Sequence, residues 1–205
     1  MLTGTHIKLA KYIYHILKKE YGIRLNKKHL VYGSIKPDFT KNKVPHYIDK
    51  SIDYIAEEIE RLITESNKIG TKAFSRRLGM IMHYISDYFC RAHNTEYYRR
   101  NLMPHLKYEK RLAKVMKNIR NRPVIAIQDC GRVPQNLVVT LQTIREGIKY
   151  EMYFESIKDY IIELNKEYMQ KKSLEQDKEY TIKAINCVCG YIAERIRENI
   201  SSKVA

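Results

Sequence analysis

Two pairs of metal-binding side chains constrain this chain more than any other feature. His83 precedes Asp87 by four residues, His105 precedes Glu109 by the same interval, and His93 lies between the two pairs. On an α-helix, side chains four residues apart share a face, with Cβ atoms about 5–6 Å apart. Imidazole nitrogens and carboxylate oxygens at that separation are suited to zinc. The pattern therefore predicts helices that carry a metal site.

Apolar residues recur at helical intervals through most of the remaining chain. This periodicity predicts helices at about 6–17, 45–68, 71–89, 104–118, 134–171 and 174–199. Gly33 and Pro37 interrupt the pattern, so residues 23–44 are expected to form a loop. A second loop is expected at 120–132, with a short extended piece at 124–127. The predicted fold is all-α, a single-domain multi-helix bundle over residues 1–205.

The helix expected at 71–89 is apolar on one face and uncharged on the other. Ile81 and Ile85 belong to the apolar face, and His83 and Asp87 lie nearly opposite them. No charged residue occurs at positions 78–86. A helix with these two faces belongs in the middle of a bundle. The zinc cluster is therefore expected in a cleft between helices, away from bulk solvent.

The net charge of +15 has two explanations that the sequence leaves open. A basic surface attracts the phosphate groups of nucleic acid, of anionic membranes or of small phosphorylated molecules. A composition rich in lysine, isoleucine, asparagine and tyrosine, as AT-rich genomes tend to encode, gives the same charge without any such partner. The cysteines show no CxxC pair and are expected to be reduced, packed thiols at positions 90, 130, 187 and 189.

No export or membrane-spanning segment is expected. His6, Lys8 and Lys11 interrupt the apolar residues at the N-terminus, which therefore does not fit a signal peptide. No apolar run approaches the roughly 20 residues that a membrane-spanning helix needs. We therefore expect a soluble, cytoplasmic protein.

Further candidate ligands lie before the central stretch. His6 is close to the N-terminus, and Asp38 precedes His46 by eight residues. His15 and His29 have no comparable partner and are expected to be packed or solvated histidines. A tetrahedral zinc takes about four ligands, and a catalytic zinc leaves one position for water. The collected ligands therefore suit two or three zinc ions.

At these positions the chain resembles a known family. Its motif H-x3-D-x5-H, followed by H-x3-E, is similar to the core signature of the bacterial zinc-dependent phospholipases C, which include the lecithinase toxins. The segment Thr3-Gly4-Thr5-His6 also resembles the N-terminal ligand segment of the toxin branch. Fungal-type single-strand nucleases share the fold, but their last pair tends to be H-x3-D. The resemblance extends over about residues 1–200.

The resemblance implies a cluster of three zinc ions. One ion would be held by Asp38, His46, His83 and Asp87. A second would be held by His93, His105 and Glu109. The third would be held by His6, the other oxygen of Asp87 and the N-terminus of the chain. Such ions activate a bound water for in-line attack on phosphorus, while Asp38 acts as general base or orients that water.

The chain departs from the family in two respects. The exported enzymes begin with a tryptophan whose amino group and carbonyl bind the third zinc, and this chain contains no Trp. The amine of Met1 is expected to take that place, because the bulky Leu2 should leave Met1 attached. The toxin branch also carries a C-terminal lipid-binding domain, for which 205 residues leave no room.

The expected function is hydrolysis of a phospholipid or a smaller phosphodiester. Two alternatives remain: a single-strand nuclease-like hydrolase that acts on nucleic acid, and a non-catalytic descendant that retains zinc. Phe39, Tyr47, Tyr84 and Tyr88 could cage a choline group, although core packing is the ordinary use of such residues. Arginines at 76, 77, 91, 99 and 100 could line a nucleic-acid groove or merely face solvent.

Overall fold

A computed structural model describes residues 1–40, 44–121, 138–140, 151–153, 156–170 and 173–201. The helices are α1 (Thr3–Lys19), α2 (Lys27–Phe39), α3 (Ile48–Thr64), α4 (Thr71–Tyr88), α5 (Arg91–Asn94), α6 (Glu96–Arg100), α7 (Leu102–Val115), α8 (Ile157–Met169) and α9 (Leu174–Ser201). A 3-10 helix, Met116–Asn121, continues α7. Strands β1 (Val138–Thr140) and β2 (Glu151–Tyr153) form an antiparallel pair.

Helix α4 lies at the centre of the bundle, in contact with α1, α2, α3 and α9. Its apolar residues Ile81 and Ile85 are fully buried in the core. His83 and Asp87, on its other face, are buried as well. The prediction that this helix occupies the middle of the bundle is confirmed, and buried polar side chains at such a place require partners.

The predicted all-α class is confirmed, but the predicted helix at 134–171 is wrong in part. Val138–Thr140 pairs in register with Glu151–Tyr153, and helix α8 begins only at Ile157. The β-branched residues of β1 favour extended backbone, which the apolar periodicity did not reveal. The extended piece predicted at 124–127 lies outside the described residues.

The loop predicted at 23–44 is also wrong, because α2 occupies much of it. The Asn26 side chain caps the helix by accepting a hydrogen bond from the His29 amide at 3.1 Å. Pro37 stands in the last turn, where it ends the helix shortly afterwards at Phe39. Gly33, which in the sequence suggested a break, is instead a point of close contact between helices.

Two glycines allow α2 and α4 to pack backbone against backbone. A Cβ atom at Gly79 would lie 2.2 Å from the Leu30 carbonyl oxygen, and one at Gly33 would lie 2.0 Å from that of Arg76. Any side chain at either position would therefore separate the helices. This close approach brings the C-terminal end of α2, which carries Asp38, beside the histidine face of α4.

The remaining features of the fold concern the cysteines and the membrane. Cys90, Cys187 and Cys189 are buried thiols that form no disulfide, and Cys130 lies outside the described residues. Among the described helices, none is both long enough and apolar enough to cross a membrane.

Candidate metal centre

The bundle brings the candidate ligands from widely separated parts of the chain to one place. Helix α4 supplies His83 and Asp87, and the other helices and loops approach it from several sides. The described cluster comprises Met1 and His6 from α1 and its start, Asp38 from α2, His46 from the segment before α3, His93 from α5, and His105 and Glu109 from α7. His15 is exposed, and His29 contacts Asn26 at 2.9 Å instead.

The Asp87 carboxylate lies at the centre of the cluster and is fully buried. Its Oδ2 atom is 3.0 Å from His46 Nδ1 and 3.3 Å from His83 Nε2. Its Oδ1 atom is 3.4 Å from His6 Nε2, 3.7 Å from His93 Nε2 and in direct contact with the Met1 amino group. The two oxygens of one carboxylate therefore face two different sets of nitrogen atoms.

A first group lies on the Oδ2 side. Asp38 Oδ1 is 3.6 Å from His83 Nε2 and 4.0 Å from His46 Nδ1. The opposite ring nitrogen of His83, Nδ1, lies 2.8 Å from the carbonyl oxygen of Ser34. Histidine ligands of metals commonly donate their second nitrogen to such a carbonyl, which fixes the tautomer and the ring orientation. Ser34 thus directs Nε2 of His83 into the cluster.

A second group surrounds the Glu109 carboxylate. Its Oε1 atom is 3.1 Å from His93 Nε2 and 3.0 Å from His105 Nε2. The Met1 nitrogen lies 3.0 Å from the same oxygen, so it stands between the carboxylates of Glu109 and Asp87. Glu109 is therefore the second carboxylate in the centre around which nitrogen atoms converge.

The protonation states of the buried groups favour ligand chemistry. Burial lowers the pKa of His83 well below its usual range and that of His93 to about 4, so both rings are neutral near pH 7. Burial opposes the charge of Asp87, but His93 and the N-terminal amine hold the pKa of this carboxyl well below its usual range. Neutral imidazole and ionised carboxylate are the forms that bind metal.

The Met1 amino group is completely buried together with its side chain. Burial disfavours its charge, but Asp87, Cys90 and Glu109 outweigh that effect and raise the pKa of the amine to about 11. The amine is thus an ammonium that balances two buried carboxylates, and it has to lose a proton before it can coordinate a metal.

Several buried nitrogens fit a bound cation better than they fit protein partners. His6 Nε2, which faces Asp87, is buried and makes no hydrogen bond to the described residues. His46 faces the cluster with Nδ1 instead. His6 is held from its other side, where Nδ1 is 3.2 Å from Ser86 Oγ. Unpaired buried polar atoms are costly unless an ion or water occupies the site. Together with the carboxylates, this donor set suits zinc.

The described ligands of the cluster differ in their exposure to solvent. The side chains of His6, His83 and Asp87 are at most 1% exposed, whereas Asp38 is 25% exposed and His105 18% exposed. His46 is intermediate at 14%. Among the described ligands, Asp38, His46 and His105 are therefore the ones that a substrate in solvent can reach.

One cysteine lies at the cluster although the sequence pattern suggested no role for it. A Cys90 Sγ, a His93 nitrogen and a Glu109 oxygen lie within 4.8 Å of one another, and Cys90 is fully buried. Cys90 stands three residues after Asp87 and three before His93, a spacing that could have drawn attention to it.

Two further residues position the ligands without being ligands. Asp177 accepts hydrogen bonds from the Arg91 amide at the start of α5 and from the Tyr108 hydroxyl in α7, at 3.1 and 2.9 Å. It thereby ties together the helices that carry His93 and Glu109. Arg99 donates its Nε–H to the His93 carbonyl at 2.8 Å. No local motif marks either residue: Asp177 contacts residues far away in sequence, and Arg99 contacts a backbone carbonyl, which any residue offers.

The aromatic residues near the ligands divide by exposure. Tyr84 and Tyr88 are buried in the core, and the Tyr84 hydroxyl donates to the Val44 carbonyl at 3.2 Å. Tyr47 stacks on the Arg99 guanidinium, 4.0 Å from the ring centroid. Phe39 is 71% exposed. Tyr84 and Tyr88 therefore serve in core packing, which the sequence analysis gave as the alternative to a choline cage.

The chain was also compared with models of known protein families. A family model described as zinc dependent phospholipase C matches residues 5–200. The chain belongs to this family. Comparison with curated proteins and with solved structures gives no match. For a member of a zinc-dependent phospholipase C family, hydrolase chemistry at a zinc site is the general function, and a phosphate ester is the general class of substrate.

Proposed function

We propose that this chain is a zinc-dependent phosphodiesterase that cleaves a phospholipid, or a smaller phosphodiester, in the manner of a phospholipase C. One observation carries the proposal. The two oxygens of the buried Asp87 face separate sets of nitrogen ligands, and Asp38, in contact with His83, remains partly exposed to solvent. A carboxylate in this position can bridge two ions, which is the arrangement that phosphodiester hydrolysis uses.

The distances support a specific allotment of ligands. Asp38, His46, His83 and Asp87 Oδ2 would hold one ion. His93, His105 and Glu109 would hold a second. His6, Asp87 Oδ1 and the deprotonated amine of Met1 would hold a third. Zinc in such sites lowers the pKa of a bound water toward about 7 and stabilises the phosphoryl oxygens during in-line displacement.

Asp38 is the protein group best placed to handle a proton of the attacking water. It is the most exposed carboxylate of the cluster, since Asp87 and Glu109 are buried. Burial raises the pKa of Asp38 above its usual value, which strengthens its carboxylate as a base. Asp38 would act as general base or orient the water, and Asp87 would keep the two ligand sets in register.

Contacts outside the cluster would hold its histidine ligands in a fixed orientation. The Ser34 carbonyl fixes the His83 ring, so that Nε2 points at Asp38 and Asp87 without further rearrangement. Asp177 and Arg99 do the same for the second group through α5 and α7. Preorganised ligands of this kind reduce the reorganisation that accompanies the reaction.

Zinc analysis combined with three substrates tests the proposal. The purified protein should bind zinc and hydrolyse bis-p-nitrophenyl phosphate and phosphatidylcholine, and single-stranded DNA tests the nuclease alternative. Asp87→Asn should lose both metal and activity. Asp53→Asn, an exposed carboxylate on α3, is the matched control and should retain both. If the protein binds zinc but hydrolyses none of the three substrates, the proposed enzymatic activity is refuted and the non-catalytic alternative remains.

A further inference from the structure

Cys90 lies among the candidate metal ligands, although the allotment proposed above gives it no role. Its Sγ atom, a His93 nitrogen and a Glu109 oxygen all lie within 4.8 Å of one another. His93 Nε2 is 3.1 Å from Glu109 Oε1, and Cys90 is fully buried. Three buried side chains, each with an atom that binds metals, therefore meet at one place.

Backbone hydrogen bonds hold Cys90 in the short link between α4 and α5. The Cys90 amide donates to the Asp87 carbonyl at 3.0 Å, and the His93 amide donates to the Cys90 carbonyl at 2.8 Å. Both neighbours in these hydrogen bonds are candidate ligands of the cluster. The backbone therefore fixes the position of Cys90 relative to a ligand on either side of it.

The surroundings of Cys90 differ from those of Cys189, another fully buried cysteine. Burial is the one cause that raises the pKa of the Cys189 thiol. Burial also raises the pKa of the Cys90 thiol, but the Met1 amine lowers it, and the carboxylates of Asp177, Glu109 and Asp87 raise it further. Cys90 thus lies among ionised groups, which a cysteine that serves only in core packing does not require.

The atoms that accompany Cys90 already face a positive charge. The Met1 amino nitrogen lies 3.0 Å from His93 Nε2 and 3.0 Å from Glu109 Oε1. The raised pKa of this amine keeps it an ammonium near pH 7. A metal ion at this position would replace that charge, and the amine, once deprotonated, would be available to the third ion of the proposed allotment.

We infer that the Cys90 thiolate is the fourth protein ligand of the second metal ion, together with His93, His105 and Glu109. The inference rests on the proposed function, because it completes a ligand set assigned there. A tetrahedral zinc separates its nitrogen, oxygen and sulfur ligands by about 3.3–3.6 Å. Cys90, His93 and Glu109 lie within 4.8 Å of one another, so each pair has at most about 1 Å to close.

The balance of charge supports a thiolate ligand at this ion. Histidines bind zinc as neutral imidazoles, so Glu109 supplies one negative charge against the two positive charges of the ion. A thiolate at Cys90 supplies the second negative charge and makes the buried unit neutral, which avoids the cost of an unbalanced buried charge. The sulfur–metal bond forms as the Sγ proton leaves to solvent.

A fourth protein ligand also defines the role of the second ion. A catalytic zinc keeps one position for water, whereas four protein ligands close a tetrahedral site. The second ion would then hold α5 and α7 against the end of α4. Activation of the attacking water would belong to the other ions, near Asp38 and Asp87.

X-ray absorption at the zinc edge tests the inference on the wild-type protein. Sulfur lies about 2.3 Å from zinc, whereas nitrogen and oxygen lie at about 2.0–2.2 Å, so a sulfur shell should be resolved. Cys90→Ala should lose this shell. Cys189→Ala, the matched removal of a buried thiol in α9, should retain it. Absence of a sulfur shell from the zinc-loaded wild type, or its persistence in Cys90→Ala, would overturn the inference.

Cobalt substitution provides a second readout. The wild type and Cys189→Ala should show a thiolate-to-cobalt charge-transfer band in the near ultraviolet, and Cys90→Ala should lack it. One ion should bind to Cys90→Ala at least about tenfold more weakly, since even loss of a group that only orients a ligand costs about 10–100-fold. Circular dichroism checks that the variants are folded. Equal affinity in folded Cys90→Ala and in the wild type would contradict the inference.

Hydrolysis of bis-p-nitrophenyl phosphate separates failure of this inference from failure of the proposed function. A wild-type protein that hydrolyses this substrate without a sulfur shell on its zinc would retain the proposed function and defeat the role of Cys90 alone. A sulfur shell that depends on Cys90, in a protein that hydrolyses no phosphodiester, would establish the ligand and defeat the proposed function.

Discussion

The close packing of α2 on α4 makes Gly79 a position where one added methyl group should destabilise the fold. A Cβ atom there would lie 2.2 Å from the Leu30 carbonyl oxygen and 2.8 Å from the Ser34 amide nitrogen. Both are backbone atoms, so no side-chain rotation can relieve the clash. We therefore predict that Gly79→Ala forces the two helices apart.

The expected loss of stability follows from two opposing effects. Restoring an ordinary contact of 3.4 Å requires a displacement of about 1 Å, and overpacking of this severity costs about 3 kcal/mol. Alanine is favoured over glycine inside a helix by about 1 kcal/mol. The net free energy of unfolding should thus fall by about 2 kcal/mol, which for a chain of this size lowers Tm by about 4–8 °C.

Gly4→Ala is the matched control for this experiment. Gly4 also lies in a helix, but a Cβ atom there would meet nothing within 4 Å. This variant should gain up to about 1 kcal/mol, so the two substitutions should differ by about 3 kcal/mol. Urea unfolding of the zinc-free proteins measures the difference. Equal stability of the two variants would refute the backbone contact between α2 and α4.

Three further predictions concern the N-terminus, a buried carboxyl and the thiols. Extension of the chain before Met1 converts its amine to an amide, so zinc content measured by mass spectrometry should fall by one ion; identical content would count against the amine as a ligand. Burial raises the pKa of Asp177 to about 6, so the folded state binds its proton more tightly than the unfolded state does. The stabilisation of the folded state by this proton is complete below about pH 4 and is lost as the pH rises through 6. It amounts to about 3 kcal/mol, because the folded-state pKa of about 6 lies about 2 above that of a free aspartate. In wild-type protein the urea midpoint should therefore fall between pH 4 and 6, and Asp177→Asn should reduce this fall. The same pH dependence of the urea midpoint in both proteins would contradict the prediction. Burial also raises the pKa of the Cys90 and Cys189 thiols, so Cys130→Ser should react with a thiol reagent only after unfolding, and rapid labelling of the native protein would disprove this.

Local sequence patterns predicted the all-α fold class and the helical candidate ligands at positions 83–109. Spacing of four residues placed His83 with Asp87, and His105 with Glu109, on common helix faces, and both pairs lie at the metal cluster. An uncharged second face predicted that α4 would be central, as it is. These features depend only on the 3.6-residue period of a helix, which a sequence displays directly.

Other features depended on packing that a local pattern does not encode. Gly33 and Pro37 suggested a loop, yet α2 forms because the glycine allows contact with α4 and the proline stands only in the last turn. The strand pair at 138–140 and 151–153 requires two segments to meet. Asp177 has no recognisable motif, because its partners lie on three other helices.

The sequence by itself determined which residues are candidate metal ligands and that helices would carry most of them. Only the tertiary structure decided that Asp87 faces a different set of nitrogens with each oxygen, that the Met1 amine reaches Glu109, and that Asp38 and His105 stay partly exposed. The reason is physical: periodicity fixes the face on which a side chain lies. The distance between faces of separate helices depends instead on how closely their backbones pack.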